Sequence, residues 1–510
     1  MSSAVAESKV KTYGGYHQPK GWGFWIFGPV GTILAVILSF IVILLVPSAG
    51  IVTAMIVAVV GAGVLILLVL KDRNQQSILD KVGARMGFAA SRREGSNLFF
   101  SGTLTHFGSH KLPGVLSEST LEAWEDKNGQ PFTILQYPKE RLFVVNISAD
   151  PDGSTLVDPE DLEAQVAKYG EWLADLAFES VYLMQAAVTI ETTQDSGPGL
   201  TLELTNNTSP KASSLSKEWA AEVMENYPQG STAVRAYVTL SFRAPKPETD
   251  EHGKKIKGQD PAQVIGRLIA DRLPQLMDTL PETGAGTVVP MSTDDVIEAV
   301  RCAYNPEDRK AYDELASKGE PPPVTLWDSV GPSGGQAFWD YYQHSDAISM
   351  TWEVVGFISS RVISKVLRPV LEPSPDVAVS RLTFLYKPID PAAAGTIAEH
   401  DHRTAESRMR NSKKPTARQD RQVTEADSAR HHEAHGAALV NFAILLTATV
   451  KGKENIAKAR AVVEHQGPAA RLILRPMNGS QDSAFAQGIG PLGLVTSQHL
   501  NIPTALSEGI

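Results

Sequence analysis

The sequence predicts an α+β protein: an N-terminal two-helix transmembrane hairpin followed by a multidomain cytoplasmic α/β body with mixed or antiparallel sheets. Three observations predict it. Residues 21–70 carry no charge. Runs such as 233–243 alternate apolar and polar side chains with a period of two. After residue 180, strand-helix-strand-helix patterning occurs twice. Composition agrees: 510 residues with 43% hydrophobic and 20% charged is ordinary for a globular chain and excludes a disordered chain, a collagen or a coiled-coil rod. A single cysteine, Cys302, excludes an intrachain disulfide framework and an all-cysteine zinc site. A net charge of −10 argues against a general nucleic-acid binder.

The uncharged stretch divides at Pro47-Ser48-Ala49-Gly50 into apolar runs at 24–46 and 51–70. At about 1.5 Å per residue each is long enough for a hydrocarbon core of about 30 Å. A secretory signal peptide would have one shorter apolar run and a cleavage site. Lys9, Lys11 and Lys20 precede the first run, Lys71 and Arg73 follow the second, and the turn holds no cation. The positive-inside rule therefore puts both termini in the cytoplasm. Lys20, Trp22, Trp25, Lys71 and Arg73 are the expected interface anchors. These basic flanks leave an acidic body, which should project towards partners.

After a basic N-tail (1–22) and the hairpin (23–71), a small β-rich unit is expected over 72–150, with strands near 98–100, 132–136 and 142–147. A first α/β unit covers 151–303. Asp158-Pro159-Glu160-Asp161 starts a helix, with an Asp cap, Pro at the first position and acids in the first turn. A strand over 186–193, a helix near 216–227, a strand over 233–243 and a helix near 261–279 follow. In 233–243, Val234, Ala236, Val238, Leu240 and Phe242 face one way and Arg235, Tyr237, Thr239, Ser241 and Arg243 the other. Ser292-Thr293-Asp294-Asp295 caps another helix. Pro321-Pro322-Pro323 and Gly331-Pro332-Ser333-Gly334-Gly335 mark a linker region, 304–345. The second α/β unit, 346–510, has strands at 348–357, 377–387, 439–450 and 470–475. Its helices are expected at 362–370, 396–435 (broken near Pro415) and 453–465. Each sheet should bury one face, and the order fits two ferredoxin-like β-α-β-β-α-β halves.

The chemistry-bearing motifs are incomplete. Gly253-Lys254 and Gly452-Lys453 are followed by Lys255 and Glu454, so neither ends a phosphate-binding loop with the hydroxyl that magnesium needs. Gly331-Pro332-Ser333-Gly334-Gly335 matches Gly-x-Ser-x-Gly, but the nucleophile elbow also needs a buried strand before it and a helix after it. Five of twelve histidines (His400, His402, His431, His432 and His435) lie between 400 and 435 without a third ligand at metal spacing, so a solvated helix is expected. Trp339, Tyr341, Tyr342 and Trp352 are expected in the core. The sequence names no catalytic residue, metal or cofactor. Segment 403–421 holds Arg403, Arg408, Arg410, Lys413, Lys414, Arg418 and Arg421 against Glu406 and Asp420. Interleaved aromatics that would favour single-stranded nucleic acid are absent. The surface suits a protein partner, and no direct sequence-specific nucleic-acid binding is expected.

Tyr13-Gly14-Gly15-Tyr16, Lys71-Asp72-Arg73, Pro113-Gly114-Val115-Leu116, Trp172-Leu173-Ala174, Arg381-Leu382-Thr383-Phe384-Leu385-Tyr386 and Pro491-Leu492-Gly493 occur in this order. In them the chain resembles actinobacterial integral membrane proteins found with conjugation (type IV secretion-like) genes. The hairpin resembles the PrgI-type inner-membrane subunit. The body resembles the N-terminal region of the conjugal transfer ATPase, without its motor domain. The resemblance implies a non-catalytic inner-membrane scaffold in the bacterial cytoplasmic membrane, working as an oligomer with other membrane subunits and a P-loop transfer ATPase on a separate chain. An EccE-like component of a type VII (ESX-like) translocon is the alternative. A membrane-tethered enzyme using Ser333 is a third reading.

Overall fold

The structure is a computed structural model that describes residues 13–14, 28–69, 78–102, 105, 110–151, 153, 157–194, 204, 206–209, 211–226, 232–244, 260–358, 361–412 and 414–495. Strand β1 (Tyr13–Gly14) precedes two apolar helices, α1 (Gly28–Ala49) and α2 (Ile51–Val69). Pro47 and Ser48 stay within α1, so the reversal falls on Gly50 alone, in the left-handed region at φ +88°. Gly61 lets α2 close on Leu38, where a Cβ would sit 2.3 Å from the leucine's methyls. The outward side chains, among them Ile37, Phe40, Ile43, Ile51, Met55 and Val59, are exposed. Side chains are described continuously over 34–48 in α1 and 51–63 in α2. Two apolar helices do form at the expected place, but among the described residues no helix is long and apolar enough to cross a membrane, so the transmembrane part of the expected hairpin is not supported by the structure. The expected start of the first run, 24–27, lies outside the described residues.

The body begins with α3 (Ile78–Glu94) and β2 (Leu98–Phe100). Its first half contains β3 (Thr120–Glu125), β4 (Pro131–Tyr137), β5 (Leu142–Asp150), α4 (Pro159–Phe178), β6 (Leu183–Gln194), α5 (Ser214–Asn226), β7 (Thr232–Arg243), α6 (Pro261–Asp278), β8 (Thr287–Pro290), α7 (Thr293–Tyr304) and α8 (Asp308–Lys318). The second half contains β9 (Gly334–Ala337), β10 (Tyr342–His344), β11 (Ala347–Phe357), β12 (Arg361–Val362), α9 (Arg368–Leu371), β13 (Val379–Pro388), α10 (Pro391–Arg410), α11 (Ala417–Ala434), β14 (Val440–Lys451), α12 (Ile456–Ala469), β15 (Leu472–Pro476) and α13 (Gln481–Gly488).

One antiparallel sheet runs in the order β2-β9-β10-β11-β14-β13-β6-β7-β5-β4-β3, with β15 beside β11 and β8 beside β5. Its halves repeat each other. Strand β5 shares one edge between β4 and β8, as β11 does between β10 and β15. Ile147 of β5 pairs with Val238 and Pro290, and Trp352 of β11 pairs with Leu446 and Pro476. Helix α4 links the parallel strands β5 and β6, which bracket β7. The same split β-α-β order places β11 and β13 around β14. At the two equivalent strand exits, Pro290-Met291 and Pro476-Met477 occupy the same place. The Met291 amide donates to the Asn146 carbonyl and the Met477 amide to the Thr351 carbonyl.

The halves join edge to edge through β6 and β13, in register from Val379↔Thr193 to Tyr386↔Ala186. The pairing Thr189↔Thr383 lies on the pseudo-two-fold axis that relates the halves, and the Thr189 hydroxyl donates to the Thr383 hydroxyl at 3.1 Å. Pairing these inner edges removes two exposed ladders that would otherwise invite association.

One face of the sheet packs under α4 and α6 in the first half. Trp172 and Leu176 of α4 meet Ile265, Ile269 and Leu273 of α6 over Val145, Val238, Leu240 and Phe242. The i, i+4, i+8 spacing of the α6 residues builds this stripe. Gly266 admits the Trp124 ring against the helix, and the Trp172 indole N–H donates to the Leu276 carbonyl at 3.1 Å. Each such fully buried side chain stabilises the fold by about 1.5–3 kcal/mol. In the second half α9 and α12 cover Ile348, Met350, Trp352, Leu382, Ile444 and Leu446.

One expectation is narrowed and three are corrected. The single sheet is antiparallel in every described pairing, one of the two arrangements expected. It buries both faces: Tyr237, Thr239 and Ser241, expected opposite the core, are buried under α7 and the chain after α13. The helix expected over 362–370 shortens to Arg368–Leu371, because Pro369 is tolerated only in a first helical turn. Stretch 304–345 contributes α8, β9 and β10 to the body.

Gly493 has φ +57° and stands where a Cβ would meet Val144 Cγ1 at 2.3 Å. Gly493→Ala should lower stability in urea unfolding by about 2 kcal/mol or more, from backbone strain plus overpacking. Gly436→Ala, at φ +92° in open space, should cost about 1 kcal/mol from strain alone. Equal losses would contradict close packing at Gly493.

Candidate functional site

The strand pairing that fuses the halves also carries a buried charge cluster. Glu191 of β6 lies directly opposite Arg381 of β13 and Arg235 of β7. The Arg381 Nε donates to Glu191 Oε2 at 2.7 Å, with both side chains almost wholly buried. Arg309 of α8 reaches Glu191 Oε1 at 3.5 Å and Glu298 of α7 at 2.6 Å. Arg235 pairs with Asp313 of α8 at 2.7 Å. Burial alone would raise the Glu191 carboxyl. The Arg381, Arg309 and Arg235 guanidiniums outweigh that and hold it below the ordinary carboxylate range. A cavity of about 390 Å³ opens beside the cluster, lined by Glu191, Thr193, Arg309, Lys310, Asp313 and Lys451 among others. Cys302 also borders it, but burial pushes its thiol up to about 12, which keeps it from acting as a thiolate.

The rest of this sheet face is paired hydroxyl and amide chemistry. Thr239 donates to Asn146 Oδ1 at 2.7 Å, and the equivalent pair Thr351–Thr447 stands at 3.0 Å in the other half. Ser349 bridges Thr449 at 2.8 Å and His344 Nε2 at 2.8 Å, while His344 Nδ1 meets the Tyr304 carbonyl at 2.7 Å. Burial drives His344 down to about 3, so at neutral pH Nδ1–H donates to Tyr304 and Nε2 accepts from Ser349.

A glycine-rich segment after α13 lies across this face. The Thr383 hydroxyl donates to the Gly488 carbonyl at 3.0 Å, the Asn146 amide to Pro491 at 3.0 Å and the Tyr137 hydroxyl to Leu492 at 2.7 Å. The Ser241 hydroxyl donates to Gly493 at 2.7 Å and the Gln185 amide to Leu494 at 3.1 Å. Five strands thus satisfy the carbonyls of one short strap. Gly490, at φ +83°, passes so close to Thr189 that a Cβ would lie 2.5 Å from its hydroxyl.

The sequence-selected residues fall elsewhere. Lys20, Trp22, Trp25, Lys71 and Arg73 lie outside the described residues, as do Gly253-Lys254, Lys413 and the side chain of Arg418. Arg403, Arg408 and Arg410 belong to α10, Lys414 to the following turn, and Arg418 and Arg421 to the start of α11. These helices form an arm inserted between β13 and β14. Pro332 and Ser333 lead into strand β9, where a nucleophile elbow would need a helix, and Ser101 hydrogen-bonds the Pro332 and Ser333 carbonyls. Lys453 of the Gly452-Lys453 pair sits over the Phe338 ring. His431 and His435 are committed to Asp427 and to the helix carbonyl of His431. Among the described residues no group of three or more His, Cys, Asp or Glu side chains could hold a metal ion. Tyr342 and Trp352 are core residues, and Trp339 receives Phe88 of α3 edge-on at 5.6 Å.

Sequence reasoning missed the Glu191–Arg381–Arg309 cluster and the strap. The available signal was Thr, Ser, Glu and Arg at alternate positions of strands too apolar to be solvent-facing. No protein-family model matches the chain, and no curated protein matches it in sequence.

Glu191→Gln leaves Arg381 buried without its counter-charge and Arg309 with Glu298 alone. It should cost about 3–5 kcal/mol in urea unfolding, and Glu191→Leu with Arg381→Met should restore much of that. Because the folded carboxyl titrates below its unfolded value, its contribution is full above the ordinary carboxylate range and is lost as pH falls through the lowered value. The Gln variant should lack that part of the acid sensitivity. An unchanged urea midpoint would contradict the cluster's role.

Proposed function

We propose that this protein is a non-catalytic inner-membrane scaffold of a conjugative (type IV secretion-like) transfer machine, anchoring a P-loop transfer ATPase carried on a separate chain. The observation that carries the reading is the architecture: two charge-free helices of 22 and 19 residues ahead of a single rigid sheet. The Gly50 reversal leaves no domain between them.

The pairing of β1 with β12, Tyr13↔Val362 and Gly14↔Arg361, supports the orientation. It joins the segment before the first apolar helix to the body that follows the second. Two crossings return the chain to its starting side, so both ends lie in the cytoplasm, as the basic flanks suggest. The polar side chains of the body supply strand pairing, helix caps and strap contacts, which suits a rigid platform. The molecule works as an oligomer with other membrane subunits of the machine.

Isolation of the full-length protein in gentle detergent from its own cells, with mass spectrometry of what accompanies it, tests this reading. Recovery of a Walker-motif transfer ATPase with conjugation subunits is expected. Type VII (ESX-like) membrane subunits instead would assign the EccE-like role, and a protein recovered alone would contradict the scaffold.

A further inference from the structure

The α10–α11 arm leaves the sheet at a particular end. Strand β13 finishes at Pro388, opposite Val440 at the start of β14. Register through β14 puts the end of β11, at Phe357, on that same side, where Phe357 meets Phe442. Strand β12 follows at once and pairs with Tyr13–Gly14, ahead of the first apolar helix. Strand β2 runs away from this end, with Leu98 level with Ile348 near the start of β11. The arm and the N-terminal segment therefore share one end of the body.

The arm is built to reach. Its helices have 20 and 18 residues, an extent of about 27–30 Å. They pack on each other, with Ala394, Ala398, Ala405 and Ala426 buried. Gly395 brings Glu433 close at the base. Charge is sorted along it. Near the base Arg430 pairs with Glu399 at 3.3 Å and Asp427 at 2.7 Å, and Arg403 pairs with Glu399 at 3.5 Å. At the tip Arg410 pairs with Glu406, while Arg408 and Lys414 have no acidic partner among the described residues. Arg418 stands in the first turn of α11, where the helix dipole disfavours a cation.

We infer that the tip of the α10–α11 arm binds anionic lipid headgroups of the bilayer that holds the N-terminal hairpin, fixing the body's tilt over the membrane; the inference rests on the membrane reading proposed above. Segment 403–421 contains no aromatic residue. Protein interfaces draw most of their affinity from buried aromatic and arginine anchors, and this tip has cations without a surrounding apolar pocket. Clustered Lys and Arg beside a membrane anchor are the usual basis of attraction to an anionic leaflet, which fades beyond a Debye length of about 8 Å in physiological salt.

The test uses the full chain in lipid nanodiscs. Ala417→Cys, exposed at the start of α11, takes a maleimide donor dye, while buried Cys302 stays unlabelled. Acceptor dye is placed on the lipid headgroups. Energy transfer should be strong in discs containing phosphatidylglycerol. It should fall to the level of pure phosphatidylcholine discs in high salt, or when Arg408, Arg410 and Lys414 are each changed to Glu. Transfer independent of lipid charge and salt overturns the inference. So does transfer to an acidic protein partner in place of lipid. Flotation of the same samples separates the two readings: protein retained in discs without a lipid-charge effect removes only this inference, whereas protein that does not stay with the discs removes the membrane hairpin and this inference together. The salt dependence of the unmutated tip keeps the test valid if the triple variant folds poorly.

Discussion

The antiparallel pairing of β6 with β13 is the constraint on which the rest of the body depends. It converts two half-sheets, each with an unsatisfied inner edge, into one continuous ladder. It sets Thr189 against Thr383 on the pseudo-two-fold axis. It also forces Glu191 and Arg381 to face each other in a place that water does not reach. A slip of one residue would turn Glu191 and Arg381 onto the aliphatic face under α4 and α6, where neither charge would find a partner. The ion pair is thus best understood as a fixer of register. Buried ion pairs add little net stability over apolar replacements, but losing one partner is costly.

The second face follows from that choice. A sheet covered on both sides by aliphatic residues alone could not hold a backbone strap, because the strap's carbonyls would be buried without donors. The strands present Tyr137, Asn146, Gln185, Ser241 and Thr383 where the carbonyls of 488–494 need them. Glycines at 488, 490 and 493 supply the clearance. The strap crosses from the second half to the first, so it ties the halves on this face as β6 and β13 do in the sheet plane.

Local patterning made much of the fold legible. The strands at 233–243 and 439–450, the helix starting at Pro159, the helix capped by Ser292 and the break near Pro415 each leave a short-range signature in periodicity or helix-start chemistry, although Asp158 makes no side-chain cap bond. The recurrence of strand-helix-strand-helix also reflected a real duplication. What stayed hidden depends on long-range pairing. Thr239 and Ser241 read as lying opposite the core because alternation reports polarity, and a hydroxyl matched by Asn146 or by a strap carbonyl is as well satisfied as one in water. The equivalence of Pro290-Met291 and Pro476-Met477 is two residues long and emerges only when strand registers are compared. Among the sites, the basic segment was legible as a charge run, but its location at the end of the sheet where Tyr13–Gly14 pairs with β12 comes from the topology alone. The Glu191 cluster unites residues from β6, β7, β13, α7 and α8, and its local trace is only charged residues at alternate positions of largely apolar strands.

The body is a platform whose stiffness comes from one fused sheet and whose polar groups are mostly committed to holding it together. Hydrogen–deuterium exchange of the full-length protein, followed by mass spectrometry, addresses its central claim that the two halves form a single body. Peptides from β6 and β13 should be among the slowest to exchange, and the sheet strands of both halves should open together as denaturant is added. Early exchange of β6 and β13, with one half opening while the other remains protected, would contradict it.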